Sequence, residues 1–170
     1  VPSTAASPAA TPPVRTPTAA EVMRGRIDKA KAFLAVRNYP SAIFELENIR
    51  RETSEPSVTA VTNVLLMNAY LEQGNYRKAR EFLDQYYKNF KARSAGADVL
   101  YPAIAGQVIK GARTQIDRYR GLGLTVADRN LPLEAVNDIE QMRETLELVV
   151  TQAKEISAER ERVPVAMPLL

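Results

Sequence analysis

Between Met23 and Arg93 the chain writes the same helical hairpin twice. Asn38-Tyr39-Pro40-Ser41-Ala42 in the first copy answers Asn75-Tyr76-Arg77-Lys78-Ala79 in the second. One such unit cannot bury its apolar face alone, whereas stacked copies close a common core, so the repeat narrows the fold before any other feature does. Each copy divides into two apolar patterns at helical period. The first gives Met23, Ile27, Ala30, Phe33 and Leu34, then Tyr39, Ala42, Ile43, Leu46 and Ile49. The second gives Val61, Val64, Leu65, Tyr70 and Leu71, then Tyr76, Ala79, Phe82, Leu83, Tyr86, Tyr87 and Phe90. Thr53-Ser54-Glu55-Pro56-Ser57 reads as the loop between copies and the start of a new helix. Asn38 and Gly74-Asn75 are residues that tolerate the left-handed backbone ending a helix before a tight turn.

The pattern resembles the tetratricopeptide repeat (TPR). With Ala42 and Ala79 aligned, the family's small residue in its first helix falls on Ala30 and Met67, and its next aromatic on Phe33 and Tyr70. The large apolar residue of the second helix falls on Leu46 and Leu83. The chain departs from the family at Arg26 and Asn63, where an early aromatic is usual, and at Ile49 and Tyr86, where a small residue is usual. The period exceeds the family's length of about 34 residues, which predicts a short insertion between copies. The resemblance implies an all-α fold of TPR-like helical hairpin repeats, two repeats plus a longer third hairpin, with extended N- and C-terminal tails. It also implies a concave face of first helices that holds a ligand. By position that face carries Arg24, Ile27, Lys31, Leu34 and Ala35 from copy one, and Val61, Val64, Asn68, Leu71 and Glu72 from copy two. Ile27 stands where a carboxylate-clamping Lys would be, so no clamp is implied.

A basic linker, Lys91 to Gly96, leads to a third helix over about Asp98 to Arg120. Its apolar residues are Tyr101, Ile104, Ala105, Val108, Ile109, Ala112, Ile116 and Tyr119. Pro102 is expected in its first turn, or the helix starts there, since an interior proline loses a hydrogen bond and clashes. Gly106 and Gly111 predict close packing against the next helix. That fourth helix runs from about Pro132 to Arg162, roughly 45 Å at 1.5 Å per residue, and is expected to overhang the hairpins. The net charge of +3 is unevenly spread. Ten Lys/Arg face four Asp/Glu over residues 77–120, against five and nine over residues 128–162. Side-by-side neutralisation is the expectation, and no nucleic-acid motif accompanies the basic stretch. One of the adjacent Tyr86 and Tyr87 must point towards another helix or a partner.

Residues 1–20 are dominated by Pro, Ala, Ser and Thr and read as a tail or linker that cannot build a core. The Val start predicts a processed or trimmed chain. Together with that composition it suggests a protein exported to a bacterial periplasm or envelope, with a cytoplasmic site as the alternative. Residues 163–170, Val-Pro-Val-Ala-Met-Pro-Leu-Leu, carry no charge. They are expected to fold back on the protein or dock on another chain, with Val163, Leu169 and Leu170 making the contact, or else to lead into a further element of a longer chain. Residues 21–162 form the helical domain, and no apolar run reaches the roughly 18 residues that span a bilayer.

The chain has no histidine and no cysteine. Imidazole bases, Ser-His-Asp triads and thiolate chemistry are excluded. No phosphate-binding glycine loop is present, and Gly121-Leu122-Gly123 alone makes no dinucleotide site. Glu140, Glu144 and Glu147 share a helix face with Arg143 and read as a solvated face. The expectation is a non-catalytic scaffold, without cofactor or metal, that binds protein through Arg24, Ile27, Lys31, Leu34, Val64, Asn68, Leu71, Tyr87 and the tails. The partner would be a protein, a peptide or another subunit. The alternative is a structural subunit whose copies form a homo-oligomer through their tails.

Overall fold

The computed structural model describes residues 15–162, and among them every regular element is an α-helix. The helices are α1 (Ala19–Ala35), α2 (Tyr39–Glu52), α3 (Pro56–Glu72), α4 (Tyr76–Lys91), α5 (Ala97–Gly121) and α6 (Leu133–Arg162). Consecutive helices pack as hairpins, and the hairpins stack in chain order.

The two turns that close the first hairpins are built alike. Asn38 N–H donates to the Phe33 carbonyl at 2.8 Å, and Asn75 N–H to the Tyr70 carbonyl at 2.8 Å, each closing the preceding helix. The same asparagines then cap the next helix, Oδ1 accepting from Ser41 N–H at 3.3 Å and from Lys78 N–H at 3.2 Å. The left-handed residue is not Asn38, whose φ is −86°, but Arg37 at +58°, with Gly74 at +74° in the second copy. Only glycine adopts that conformation without strain. α1 begins at Ala19, inside the stretch expected to be tail, because Thr18 and Glu21 form a capping box. Residues 1–14 and 163–170 lie outside the described residues.

α3 lies at the centre, against α1, α2, α4 and α5. Apolar residues lie on every side of it, and Leu66, Met67 and Ala69 are fully buried. Ala30, Ala42 and Ala79, all fully buried, let the paired helices approach closely. The aromatic residues fill the space beside them. Tyr70 meets Phe82 edge-on at 5.8 Å, Phe82 meets Tyr86 at 4.9 Å, and Arg50 lies 5.4 Å from the Phe82 ring. The insertion expected between copies is not a loop, since only Thr53 to Glu55 separate α2 from α3.

α5 starts at Ala97, so Pro102 lies within the second turn and not the first. Pro102 and Asp98 are both exposed, which leaves water to satisfy the Asp98 carbonyl that loses its donor. α5 lies mainly on α3 and α4. Gly111 accordingly meets α3 and not α6: a Cβ there would sit 3.0 Å from Leu71 Cδ1. Gly106 has open space. α6 runs antiparallel to α5, with Tyr101 donating to Gln152 at 3.0 Å near one end and Tyr119 to Asp138 at 2.7 Å near the other. It is parallel to α4, meeting Arg80 at Gln141 and Lys91 at Glu159. The long overhang expected of α6 is therefore mostly absent, because α5, 25 residues against its 30, supports most of its length. Arg80–Glu144 at 3.5 Å and Lys91–Glu159 join the basic and acidic stretches of the sequence.

The first hairpin is held by charge as well as packing. Arg26 donates to the buried Glu45 at 2.6 Å and also reaches Glu52, while Lys29 lies 3.4 Å from Glu45. The Arg26 hydrogen bond holds the Glu45 carboxyl below its ordinary value near 4.5, against the opposing effect of burial. A carboxyl lowered in the fold adds stability above its unfolded value and loses it as the pH falls through the folded one. Glu45→Gln should therefore lower stability near neutral pH and flatten its decline below about pH 5, read as urea midpoints from about pH 7 to 3. Arg37→Gly should raise stability by about 0.5–1 kcal/mol, whereas Gly74→Ala should lower it by about 1–2 kcal/mol. Urea denaturation checks both.

Candidate functional site

The expected ligand face is divided between two clefts at opposite ends of α3. The first, of about 200 Å³, opens between α1 and α3 and is lined by Arg24, Ile27, Glu55, Val58 and Val61, with Ala20 and Ser57. Ile27 forms its buried floor, and Arg24 stands exposed above it with no ion pair within 4 Å among the described residues. Pro56 at the first position of α3 fixes the entry of that helix, and Glu55 before it supplies the one acidic group of the lining. The cleft is thus apolar at its base and charged with both signs at its rim.

Lys31 is exposed two turns along α1 and pairs with Asp28 at 3.4 Å. Leu34, Val64 and Asn68 are half-buried and Ala35 is exposed. Leu71 and Glu72 line a second cleft of about 190 Å³ with Gly74, Tyr76, Gly111, Gln115, Arg118 and Asp138. Sequence reasoning missed this polar cluster. Glu72 accepts from Arg118 at 2.7 Å and from Tyr39 at 3.4 Å. Gln115 Nε2 donates to Tyr76 Oη at 3.0 Å and also reaches Asp138, which accepts from Tyr119 at 2.7 Å. Burial, then the hydrogen bond to Asp138, pushes the Tyr119 phenol up to about 12, and Tyr76 is raised for the same reasons. Both remain protonated donors near neutral pH, so the cluster ties α3, α4, α5 and α6 together and supplies no base. The one sequence signal for it was Gln115 and Tyr119, one helical turn apart.

Tyr87, expected at a partner surface, is 8% exposed and faces α5 and α6. Its ring lies 5.6 Å from Tyr101, and its hydroxyl donates to Glu155. Tyr86 packs on Phe82. The adjacent tyrosines thus serve two internal contacts, and Tyr87 offers no free surface. Val163, Leu169 and Leu170 lie outside the described residues. On α6, Arg143 meets Glu140 at 2.5 Å and also Glu147, while Glu144 turns to Arg80. Among the described residues no group of His, Cys, Asp and Glu is placed to hold a metal ion, and no helix is long and apolar enough to cross a membrane.

The chain matches no protein-family model, no curated protein and no solved structure.

Asp138 carries two donors in a half-buried setting. Asp138→Ala should lower stability by about 1–3 kcal/mol, the cost of leaving those donors unpaired. Asp138→Asn keeps one acceptor oxygen and should lose less. Thermal melts of the two variants measure the difference.

Proposed function

We propose that the chain is a non-catalytic scaffold of the TPR type that binds an extended or helical peptide segment of another protein on the α1/α3 side. The observation that carries this reading is the cleft of about 200 Å³ with Ile27 as its floor and the unpaired Arg24 at its rim. Lys31, Leu34, Val64 and Asn68 continue the same side of the two helices, mixing apolar and polar groups as a peptide groove requires. The repeat itself supports the reading, since stacked hairpins present such extended surfaces. The absence of histidine and cysteine from the sequence favours binding over chemistry. The composition of residues 1–20 supports a place in the bacterial envelope as part of a larger assembly.

The charge on Arg24 and Lys31 sets the expected peptide: acidic residues beside an apolar anchor. An array of synthetic peptides of that composition, with basic and scrambled controls, should retain the protein. Arg24→Glu should reduce retention by about tenfold, the worth of one favourable charge contact turned repulsive. Arg51→Glu, on the outer side of α2, should change nothing. Retention of no peptide, or equal loss in both variants, would sink the reading.

A further inference from the structure

Most of the large apolar side chains exposed among the described residues belong to the last hairpin. Ile109 and Ile116 on α5, Val126 in the connecting loop, and Val136 and Val150 on α6 are among them. The stacking of the earlier helices shows why. α3 packs against both α1 and α2, and α5 against both α3 and α4. The equivalent place on the third hairpin is the groove between α5 and α6, and no helix among the described residues takes it. Its lining is mostly apolar, with Ile116, Tyr119, Ile139, Met142 and Leu146 around about 140 Å³ and Gln115 and Arg143 as its polar members.

We propose that this groove is covered by the same face of a second copy of the chain, packed about a two-fold axis that runs along the helices. Three observations favour a second copy in this arrangement. The first is charge. The α5 edge of the groove carries Arg113 and Arg120, each one turn from an exposed isoleucine, and Arg113 has no ion pair among the described residues. The α6 edge carries Glu140 and Glu147 on either side of Arg143. A two-fold along the helices lays α5 of one copy over α6 of the other without changing level. Ile116 and Ile139 line the groove together, so Arg113 comes between the levels of Glu140 and Arg143 of the second copy, on an edge whose two glutamates outnumber its one arginine.

The second observation is area. The 25 residues of α5 are about 37 Å long. With two helices about 10 Å apart, the face offers roughly 700 Å² per copy, close to the 800 Å² or so of a stable interface. The third is the other end of the stack. A head-to-tail contact would seat α1 in the groove, and the outer side of α1 presents Gly25, Asp28, Lys29 and Ala32, all exposed, with Val22 as its large apolar side chain. The self-complementary contact is the one that sets several large apolar groups on both sides.

This surface lies at the opposite end of the stack from the α1/α3 cleft, and its fate is independent of peptide binding there. Sedimentation velocity of the full chain from about 1 to 100 µM, a range that brackets a micromolar association, should show the mass rising from 18.8 kDa to twice that value. Ile116→Asp should weaken association by at least about tenfold, with circular dichroism confirming unchanged helix content. Arg113→Glu should weaken it as well, and Glu140→Arg added to the same chain should restore it. A single monomeric species across the whole range overturns the proposal, and that reading needs no variant. So does a dimer that Ile116→Asp and Arg113→Glu leave unchanged, which would place the contact elsewhere.

Discussion

The constraint on which the arrangement depends is the burial of α3. A helix with apolar residues on every side is stable in water only when neighbours cover most of it, and α3 has four. It therefore fixes α1 and α2 on one side and α4 and α5 on another. The burial is complete enough to trap polar atoms. Thr62 and Asn63 are fully buried, and their side-chain oxygens and nitrogen have no partner among the described residues. Such groups oppose folding by about 1–3 kcal/mol each. The surrounding packing of Leu66, Met67, Tyr70 and Phe82 must exceed that, and each large side chain buried contributes about 1.5–3 kcal/mol.

The two copies solve one problem with different chemistry. Arg26 in the first copy corresponds to Asn63 in the second. On the facing helices Glu45 and Glu52 correspond to Phe82 and Asn89. The outer hairpin joins its helices with an ion pair because water still reaches Arg26. The inner hairpin does so with an aromatic cluster because water does not. One backbone pattern accommodates both, since the alanines at the closest approach are common to the two.

Much of the fold was legible in the sequence because helical periodicity and turn residues act locally. The hairpins, the loop at Thr53 to Glu55 and the third pair of helices follow from them. The misreadings have one origin, which is geometry that depends on a neighbour. Arg37 in a left-handed conformation, Gly111 against Leu71 and the support of α6 by α5 are settled by packing, not by the residue itself. The candidate site was legible to the same degree. Arg24 and Ile27 do meet at one cleft, but Leu71 and Glu72 belong to another, and Tyr87 is enclosed. The polar cluster around Asp138 draws on four helices, and no single stretch of sequence contains its pattern.

α1 has a consequence of its own. It touches only α2 and α3, and its polar links to α2 run from Arg26 and Lys29 to Glu45 and Glu52. Detaching it leaves α3 to α6 joined to one another. The stack should then come apart like a zip opened from its amino-terminal end, with backbone amides of α1 exchanging with solvent long before those of α3 and α4. The helix that lines the α1/α3 cleft thus sits at one end of the stack, so a molecule seated there would bridge α1 to α3 and tighten that end.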